Sequence, residues 1–251
     1  MTDILAKRNH RVLAQYALTN LLVAFDYDGT LAPIVSVPDR ANMRPATKRL
    51  LRSVVLRYPC IVISGRSCSD LLKRLGDIPL VYVSGNHGLE PWAEDHLFVQ
   101  RAQRWVKLLT PRLAGHRGIV IEDKTYSISI HYRAVRDRHE ALQVIDHAIH
   151  DLRGARRIGG KLVVNLLPKE APTKGEALER SRRLLMCDAA LYVGDDETDE
   201  DVFRGFDRTR LLGVRVGVTE DTKAEYSLRH QTDIDGLLRQ LAALRSYART
   251  A

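Results

Sequence analysis

The first candidate for chemistry is a pair of aspartates, Asp26 and Asp28, which stand two residues apart directly after the apolar run 21–25. Two carboxylates held so close together repel one another, so the arrangement is costly unless a cation or a catalytic task balances the charge. Gly29 follows the pair and lets the backbone turn and point its amide groups at an anion. The segment is therefore a candidate site for a metal ion and an anionic group. A helix cap would explain Asp28 but not Asp26.

Three more polar clusters have a related character. Ser64 and Gly65 follow a second apolar run, and a hydroxyl with backbone amides leading into a helix suits phosphate. Lys174 stands at the start of a predicted helix and adds a positive charge. The segment 194–201 contains enough carboxylate oxygens to hold Mg²⁺, although acidic runs of this kind are more often solvated surface.

All four clusters lie at the ends of predicted elements. Apolar runs at 21–25, 60–63, 80–83, 191–193 and 214–218 predict strands, and segments with helical spacing lie between them. The alternation of strand and helix predicts an α/β fold with a parallel sheet. Ligands bind at the carboxyl ends of the strands in such a sheet, so side chains far apart in sequence can converge there.

The pattern changes in the middle of the chain. Alternating apolar residues at 119–121 and 127–130 predict one hairpin, and a second hairpin is predicted around Gly159 and Gly160. The middle of the chain is therefore predicted to be an antiparallel α+β structure, unlike the parallel α/β segments before and after it. The expected domains are a Rossmann-like parallel-sheet core, residues 1–88 and 168–251, and an inserted α+β cap, residues 89–167.

Composition limits the classes of protein. The 251 residues are 45% hydrophobic and 28% charged, which is typical of a globular chain. No apolar run is long enough to span a membrane, and we expect residues 1–20 to form a short amphipathic helix that is not a secretory signal. Three cysteines without close pairing favour the reducing cytoplasm. The net charge of +8 comes from scattered Lys and Arg, which favours an enzyme with an anionic substrate over a nucleic-acid-binding protein.

The sequence resembles the haloacid dehalogenase superfamily of phosphatases. Four segments carry the resemblance, in order: FDYDGTL at 25–31, VISGRS at 62–67, the lone Lys174, and GDDETDED at 194–201. The resemblance implies that Asp26 is the nucleophile, while Asp28 protonates the leaving group and then activates water. The implied phosphate contacts are Gly29, Thr30, Ser64, Gly65 and Lys174. The implied Mg²⁺ ligands are Asp26, the backbone carbonyl of Asp28, and Asp195, with Asp196 or Asp199 directly or through water.

A narrower resemblance is to the trehalose-6-phosphate phosphatase family. It rests on GNHGLE at 85–90, EDK at 122–124 and HYR at 131–133, with spacing that continues to Lys174. The substrate contacts that it implies are His87, Glu122, Lys124, Arg133 and Asn165. A surface ion pair of Glu122 with Lys124, and a structural role for His87, remain open. Asn165 is a departure, since the family usually has a glutamate there.

We therefore expect a Mg²⁺-dependent sugar-phosphate phosphatase that hydrolyses trehalose 6-phosphate through an aspartyl phosphate. Because of Asn165, another glucosyl phosphate, such as glucosylglycerol phosphate or sucrose phosphate, stays open as the substrate. A phosphomutase and a non-catalytic nucleic-acid-binding module are the remaining alternatives. We expect a small-molecule substrate as partner, with neither nucleic acid nor membrane. The sequence leaves the oligomeric state open, a monomer included.

Overall fold

The computed structural model describes residues 1–35, 37–92 and 96–247. The chain divides into two compact units. Unit 1 consists of Met1–Glu90 and Pro172–Ala251, and unit 2 of Pro91–Ala171. The sequence led us to expect the two junctions after residues 88 and 167.

Strands of both units are numbered in chain order. They are β1 (Thr2–Asp3), β2 (Leu21–Phe25), β3 (Cys60–Ile63), β4 (Tyr82–Ser84), β5 (Val120–Asp123), β6 (Ile128–His131), β7 (Ala155–Gly160), β8 (Val163–Pro168), β9 (Ala189–Gly194), β10 (Leu211–Val216) and β11 (Tyr226–Leu228).

The α-helices are α1 (His10–Ala17), α2 (Pro45–Val55), α3 (Cys68–Leu75), α4 (His96–Leu113), α5 (Arg138–Ile149), α6 (Lys174–Leu184), α7 (Glu200–Gly205) and α8 (Ile234–Tyr247). Short 3₁₀ helices occupy Lys7–Asn9, Pro38–Arg40, Asn86–Gly88, Glu197–Asp199 and Gln231–Asp233.

Unit 1 is built on a seven-stranded sheet in the order β1-β11-β10-β9-β2-β3-β4, with all neighbours parallel. Strand β2 lies near the middle, and every one of its five residues is buried. Leu21, Val23 and Phe25 enter one apolar cluster, whereas Leu22 and Ala24 enter another. A strand with apolar residues on both faces is stable only when helices cover both faces of its sheet. The α/β parallel-sheet fold predicted from the sequence is confirmed.

Helices from separate parts of the chain supply the two covering layers. One apolar cluster includes Leu51 of α2, Leu71 of α3 and Leu238 of α8. The other includes Leu178 of α6 and Phe203 of α7. Polar residues follow the carboxyl ends of β2, β3 and β9, which is the edge where ligands bind in a parallel α/β sheet.

Unit 2 is a four-stranded antiparallel sheet in the order β5-β6-β8-β7. Ile128, Ile130, Val164 and Leu166 belong to an apolar cluster that also includes Trp105 of α4. Ser129, His131 and Asn165 lie on the opposite face of the same strands, together with Val163 and Leu167, so that face is partly polar. This is the second, antiparallel sheet that the sequence pattern indicated.

Two local predictions were wrong. Residues 1–20 do not form one helix: Thr2 and Asp3 pair with β11, and α1 begins only at His10. The second hairpin of unit 2 does not turn at Gly159 and Gly160, because both glycines lie within β7. Pairing of Gly160 with Val163 places the turn at the two residues between them.

Candidate active site

Three acidic side chains meet at the carboxyl edge of the unit 1 sheet. Asp26 follows β2 directly, Asp195 follows β9, and Asp199 lies on the 3₁₀ helix just beyond. Each offers a carboxylate oxygen within 4.8 Å of the others, and all three residues are buried. Because β2 and β9 are adjacent parallel strands, residues more than 160 positions apart in sequence become neighbours. The sheet topology therefore brings the first and last acidic clusters together.

Lys174 lies between two of these carboxylates. Its ammonium group donates to Asp26 Oδ1 at 2.9 Å and to Asp199 Oδ1 at 2.7 Å, and the side chain is buried. Burial acts to lower the pKa of Lys174, but the negative charges of Asp199 and Asp26 prevail and raise it. Lys174 is therefore a fixed positive charge beside Asp26.

The pKa of Asp26 is raised well above its ordinary value. Burial is the largest cause, the charge of Lys174 acts in the opposite direction, and Asp199 and Asp195 raise the pKa further. One ammonium group thus faces three carboxylates in a buried space. Hard oxygen donors with excess negative charge are what a divalent cation such as Mg²⁺ prefers, so the donor set fits this metal.

The four hydrogen bonds of Asp199 use both of its oxygens. Oδ1 accepts from Lys174 and from the hydroxyl of Tyr192 at 2.7 Å, and Oδ2 accepts from the backbone amides of Asp195 and Asp196 at 2.8 Å each. A carboxylate offers about four lone-pair positions, so this group is engaged throughout. Asp199 holds the loop and Lys174 in place, which leaves Asp26 and Asp195 as the side chains better placed to meet a metal.

Asp196 has a different environment from Asp195. Its carboxylate caps the following 3₁₀ helix by accepting from the backbone amide of Glu197 at 2.8 Å. It is outside the acidic group that Asp26, Asp195 and Asp199 form within the described residues.

Gly29 is required by the close approach of two loops. Its φ is +87°, and a Cβ built at this position would lie 2.1 Å from a carboxylate oxygen of Asp195. Any other residue would displace that carboxylate and strain the backbone. The adjacent Thr30 is buried, and its hydroxyl donates to Asp195 Oδ1 at 3.4 Å. The turn after β2 and the loop after β9 therefore fit directly against one another.

The loop after β3 places Ser64 and Gly65 at the same edge of the sheet. Ser64 is buried, and its hydroxyl accepts a hydrogen bond from the amide of Arg66 at 3.3 Å. The ring of His87 lies against Gly65, where a Cβ would be only 2.6 Å from His87 Cε1. His87 has a positive φ of 59° and donates its backbone amide to the carbonyl of Ser64 at 2.9 Å. In unit 1, His87 therefore packs against the serine–glycine loop.

The carboxylate of Asp28 is held by the guanidinium group of Arg66. Arg66 forms a two-point pair with it, from Nε to Oδ2 at 2.5 Å and from Nη2 to Oδ1 at 2.7 Å. The Arg66 side chain is only 12% exposed, so this is no ordinary surface pair. In the sequence, Arg66 directly follows Ser64 and Gly65, and this position could have indicated a role at the site. Its pairing with Asp28, 38 positions away, could not be predicted from the sequence.

Unit 2 presents a row of polar side chains on the face opposite its apolar core. Glu122, Ser129 and Asn165 are directly paired across β5, β6 and β8 and so share that face. Glu122 Oε2 lies 2.8 Å from His131 Nε2 and 3.9 Å from Lys124 Nζ. These groups form a polar face with both signs of charge, suited to sugar hydroxyls.

Two other expected substrate contacts have partners within unit 2. Asn165 is buried, and its Oδ1 accepts from the hydroxyl of Ser129 at 2.6 Å. Arg133 donates from Nη2 to the backbone carbonyl of Lys161 at 3.0 Å. Asn165 is thus engaged by its cross-strand neighbour, an interaction that the sequence pattern did not indicate.

Comparison with known proteins gives one consistent family. Residues 24–232 match the family model described as Trehalose-phosphatase. Trehalose 6-phosphate phosphatase RA3 of Zea mays is 28% identical over 88% of this chain and 70% of its own length. The trehalose-phosphate phosphatase of Mycobacterium marinum is 31% identical over 91% of this chain, which spans only 59% of that relative's length. The C-terminal domain of a trehalose-6-phosphate phosphatase from C. albicans has a similar fold, with a TM-score of 0.78, 23% identity, and coverage of 94% of this chain and 97% of that one.

Proposed function

Since this chain belongs to the trehalose-phosphatase family, we propose that it hydrolyses trehalose 6-phosphate to trehalose and inorganic phosphate. The observation that carries the proposal is the buried group of Asp26, Lys174 and Asp195 at the carboxyl edge of the sheet. A carboxylate next to a fixed ammonium group is suited to attack on phosphorus, because the cation offsets the charge of the phosphate.

The reaction divides between the two aspartates of the first motif. A carboxylate oxygen of Asp26 forms a bond to phosphorus while the ester bond from phosphorus to the sugar oxygen breaks. Asp28 gives its proton to that departing oxygen. Water then attacks phosphorus, passes a proton to Asp28, and breaks the bond between Asp26 and phosphorus. Inorganic phosphate leaves and both carboxyl groups return to their starting states.

The phosphoryl group needs donors that remain fixed while its charge moves. Lys174 supplies one, since its raised pKa keeps it protonated. Ser64, Gly65, Gly29 and Thr30 supply hydroxyl and backbone donors around the same edge. Preorganised donors of this kind stabilise the transition state without having to reorient.

We assign Mg²⁺ to the carboxylates of Asp26 and Asp195, with the backbone carbonyl of Asp28. Asp199 and Asp196 act on this set through the loop that carries Asp195. When bound, the cation neutralises phosphate charge so that an anionic nucleophile can approach.

The polar face of unit 2 is proposed to recognise the sugar. Glu122 accepts from sugar hydroxyls, and Lys124 and Arg133 donate to them. His87 and Asn165 are further proposed contacts. The support for Glu122 and Lys124 is their opposite charges, the 3.9 Å between Glu122 Oε2 and Lys124 Nζ, and the contact of Glu122 with His131.

The proposed partner is therefore a small phosphorylated disaccharide. Within the described residues, no helix combines the length and the hydropathy that crossing a membrane requires. We propose a cytoplasmic location on the basis of three cysteines that form no disulfide, two of them buried.

The test is phosphate release from a panel of sugar phosphates. Trehalose 6-phosphate is expected to have the highest kcat/KM, above sucrose phosphate, glucosylglycerol phosphate and glucose 6-phosphate. Asp26→Asn is expected to abolish turnover, because an amide cannot form the phosphoenzyme. Circular dichroism of this variant controls for folding. Substantial phosphate release by a folded Asp26→Asn variant would contradict the mechanism, and an isomerised sugar phosphate as product would indicate a mutase.

A further inference from the structure

We propose that Arg215, together with Glu200, is a positioning residue for the metal centre. These residues hold the backbone of the loop that carries Asp195 and Asp196 and thereby set the affinity for Mg²⁺. The inference rests on the proposed function, because it takes Asp195 as a metal ligand. Arg215 lies outside the four motifs, and Glu200, although it lies within the segment 194–201, was given no catalytic or binding role.

The geometry of Arg215 points to the loop backbone. Arg215 lies on β10 and is paired with Gly194, the last residue of β9. Its Nη2 donates to the carbonyl of Asp195 at 2.9 Å, and its Nη1 donates to the carbonyl of Asp196 at 3.2 Å. The planar guanidinium group thus caps two consecutive carbonyls directly after the strand, which fixes both peptide planes.

Glu200 fixes Arg215 in turn. Its Oε1 accepts from Arg215 Nη1 at 3.0 Å and also from the hydroxyl of Thr222. Its Oε2 accepts from the backbone amide of Lys223 at 2.9 Å. The side chains of Glu200 and Arg215 are 6% and 14% exposed, so the pair is largely withdrawn from water. A buried pair with its hydrogen bonds satisfied holds one geometry firmly.

The loop needs such support because of the charge it carries. One carboxylate oxygen from each of Asp26, Asp195 and Asp199 lies within 4.8 Å of the other two. The repulsion among these carboxylates favours movement of the loop away from Asp26. The amide side of the loop is held by Asp199, and the carbonyl side is held by Arg215. Since Arg215 and Glu200 cancel in charge, their contribution is chiefly geometric. Groups of this kind orient a metal ligand without touching the metal.

The experiment is calorimetric titration of Mg²⁺ into the whole chain. Arg215→Met keeps the unbranched apolar part of the side chain and removes every donor, so we expect its Mg²⁺ Kd to rise by about 10- to 100-fold. Arg215→Lys keeps the positive charge but cannot contact both carbonyls as the planar guanidinium group does. Its Mg²⁺ Kd is therefore expected to lie between those of Arg215→Met and wild type. In kinetic assays the Mg²⁺ concentration for half-maximal activity should rise in parallel. Saturating Mg²⁺ should restore most of kcat, with KM for the sugar phosphate unchanged.

Arg245→Met is the matched control. Arg245 also caps two backbone carbonyls, those of Arg57 and Thr19, and its guanidinium lies 4.5 Å from the ring centroid of Tyr58. Its loss is expected to lower thermal stability without changing Mg²⁺ affinity. If Arg215→Met does not fold, Glu200→Gln provides the same test with a smaller change.

Three results would overturn the inference. The first is a folded Arg215→Met variant with the Mg²⁺ Kd of wild type. The second is an equal loss of Mg²⁺ affinity in Arg245→Met, which would make the effect one of general stability. The third is a wild-type chain that binds no Mg²⁺ in the titration. This last result would remove the metal from the proposed function as well, so the two failures can be told apart.

Discussion

At the scale of single residues, the orientation of Asp28 depends on a series of alternating charges. Arg66 donates to Asp28 and also to Asp70 at 2.6 Å. Arg74 donates to Asp70 at 2.9 Å and to the backbone carbonyl of Ala41 at 3.0 Å. Each member holds the next, so the proposed acid/base group is held through a chain that ends on the backbone of unit 1.

Arg66→Met is expected to lower kcat for trehalose 6-phosphate by about tenfold or more, because Asp28 is then less well oriented. This loss is a part of the rate enhancement of roughly 10²–10⁴-fold that a positioned acid/base group supplies. For p-nitrophenyl phosphate the formation of the phosphoenzyme needs little acid assistance, so its burst rate should change much less. Stopped-flow measurement of both substrates checks this. Arg112→Met is the control, because Arg112 makes a comparable two-point pair with Asp151 on the surface of unit 2. Equal losses for both substrates would argue against a role through Asp28.

At the scale of elements, the start of α6 determines where Lys174 is held. Thr173 and Glu176 form a capping box, in which the threonine hydroxyl accepts from the amide of Glu176 and the glutamate accepts from the amide of Thr173. Lys174 is the first residue of the helix, directly after this cap. The cap therefore fixes the backbone from which the ammonium group of Lys174 extends.

Thr173→Ala is expected to destabilise the fold by about 1 kcal/mol and also to lower kcat, because the first turn of α6 can then fray. Asp137→Ala is the matched control, since Asp137 caps α5 in unit 2 through the amides of His139 and Glu140. It should cost a similar amount of stability and leave p-nitrophenyl phosphate turnover unchanged. Urea denaturation and initial rates measure the two effects. A normal kcat in Thr173→Ala would mean that Lys174 is placed by its carboxylate partners alone.

Elements also mark the limit of what the sequence could predict. Strand β2 and the start of α6 at Lys174 are determined by local pattern, and both were predicted. Strand β1 has two residues and exists only because β11 lies beside it, so no local pattern indicates it. The same reason hid the partners of Arg66 and Asp199, which depend on loops brought together by the sheet. Residue types at the site could be predicted, whereas the hydrogen bonds among them required the tertiary structure.

At the scale of the whole molecule, turnover of a disaccharide phosphate should need both units. Glu122→Ala and Lys124→Ala are each expected to lower kcat/KM for trehalose 6-phosphate by about 100-fold, because distal sugar contacts help to align the phosphate ester. Turnover of p-nitrophenyl phosphate should change much less. Asp146→Asn breaks an ion pair with Arg157 elsewhere in unit 2 and serves as control. Unchanged activity on both substrates would favour a surface ion pair of Glu122 with Lys124.

The discontinuity of unit 1 has a consequence for the order of folding. Strand β2 must pair with β9, but the ribosome delivers all of Pro91–Ala171 before β9 emerges. Unit 2 is continuous in sequence and closes shorter loops, so it is expected to fold first. Pulse-labelled hydrogen exchange during refolding should therefore protect the amides of β6 and β8 before those of β2. Until β9 arrives, the apolar strand β2 has an open edge, which makes the nascent first half of unit 1 the segment most exposed to aggregation during synthesis.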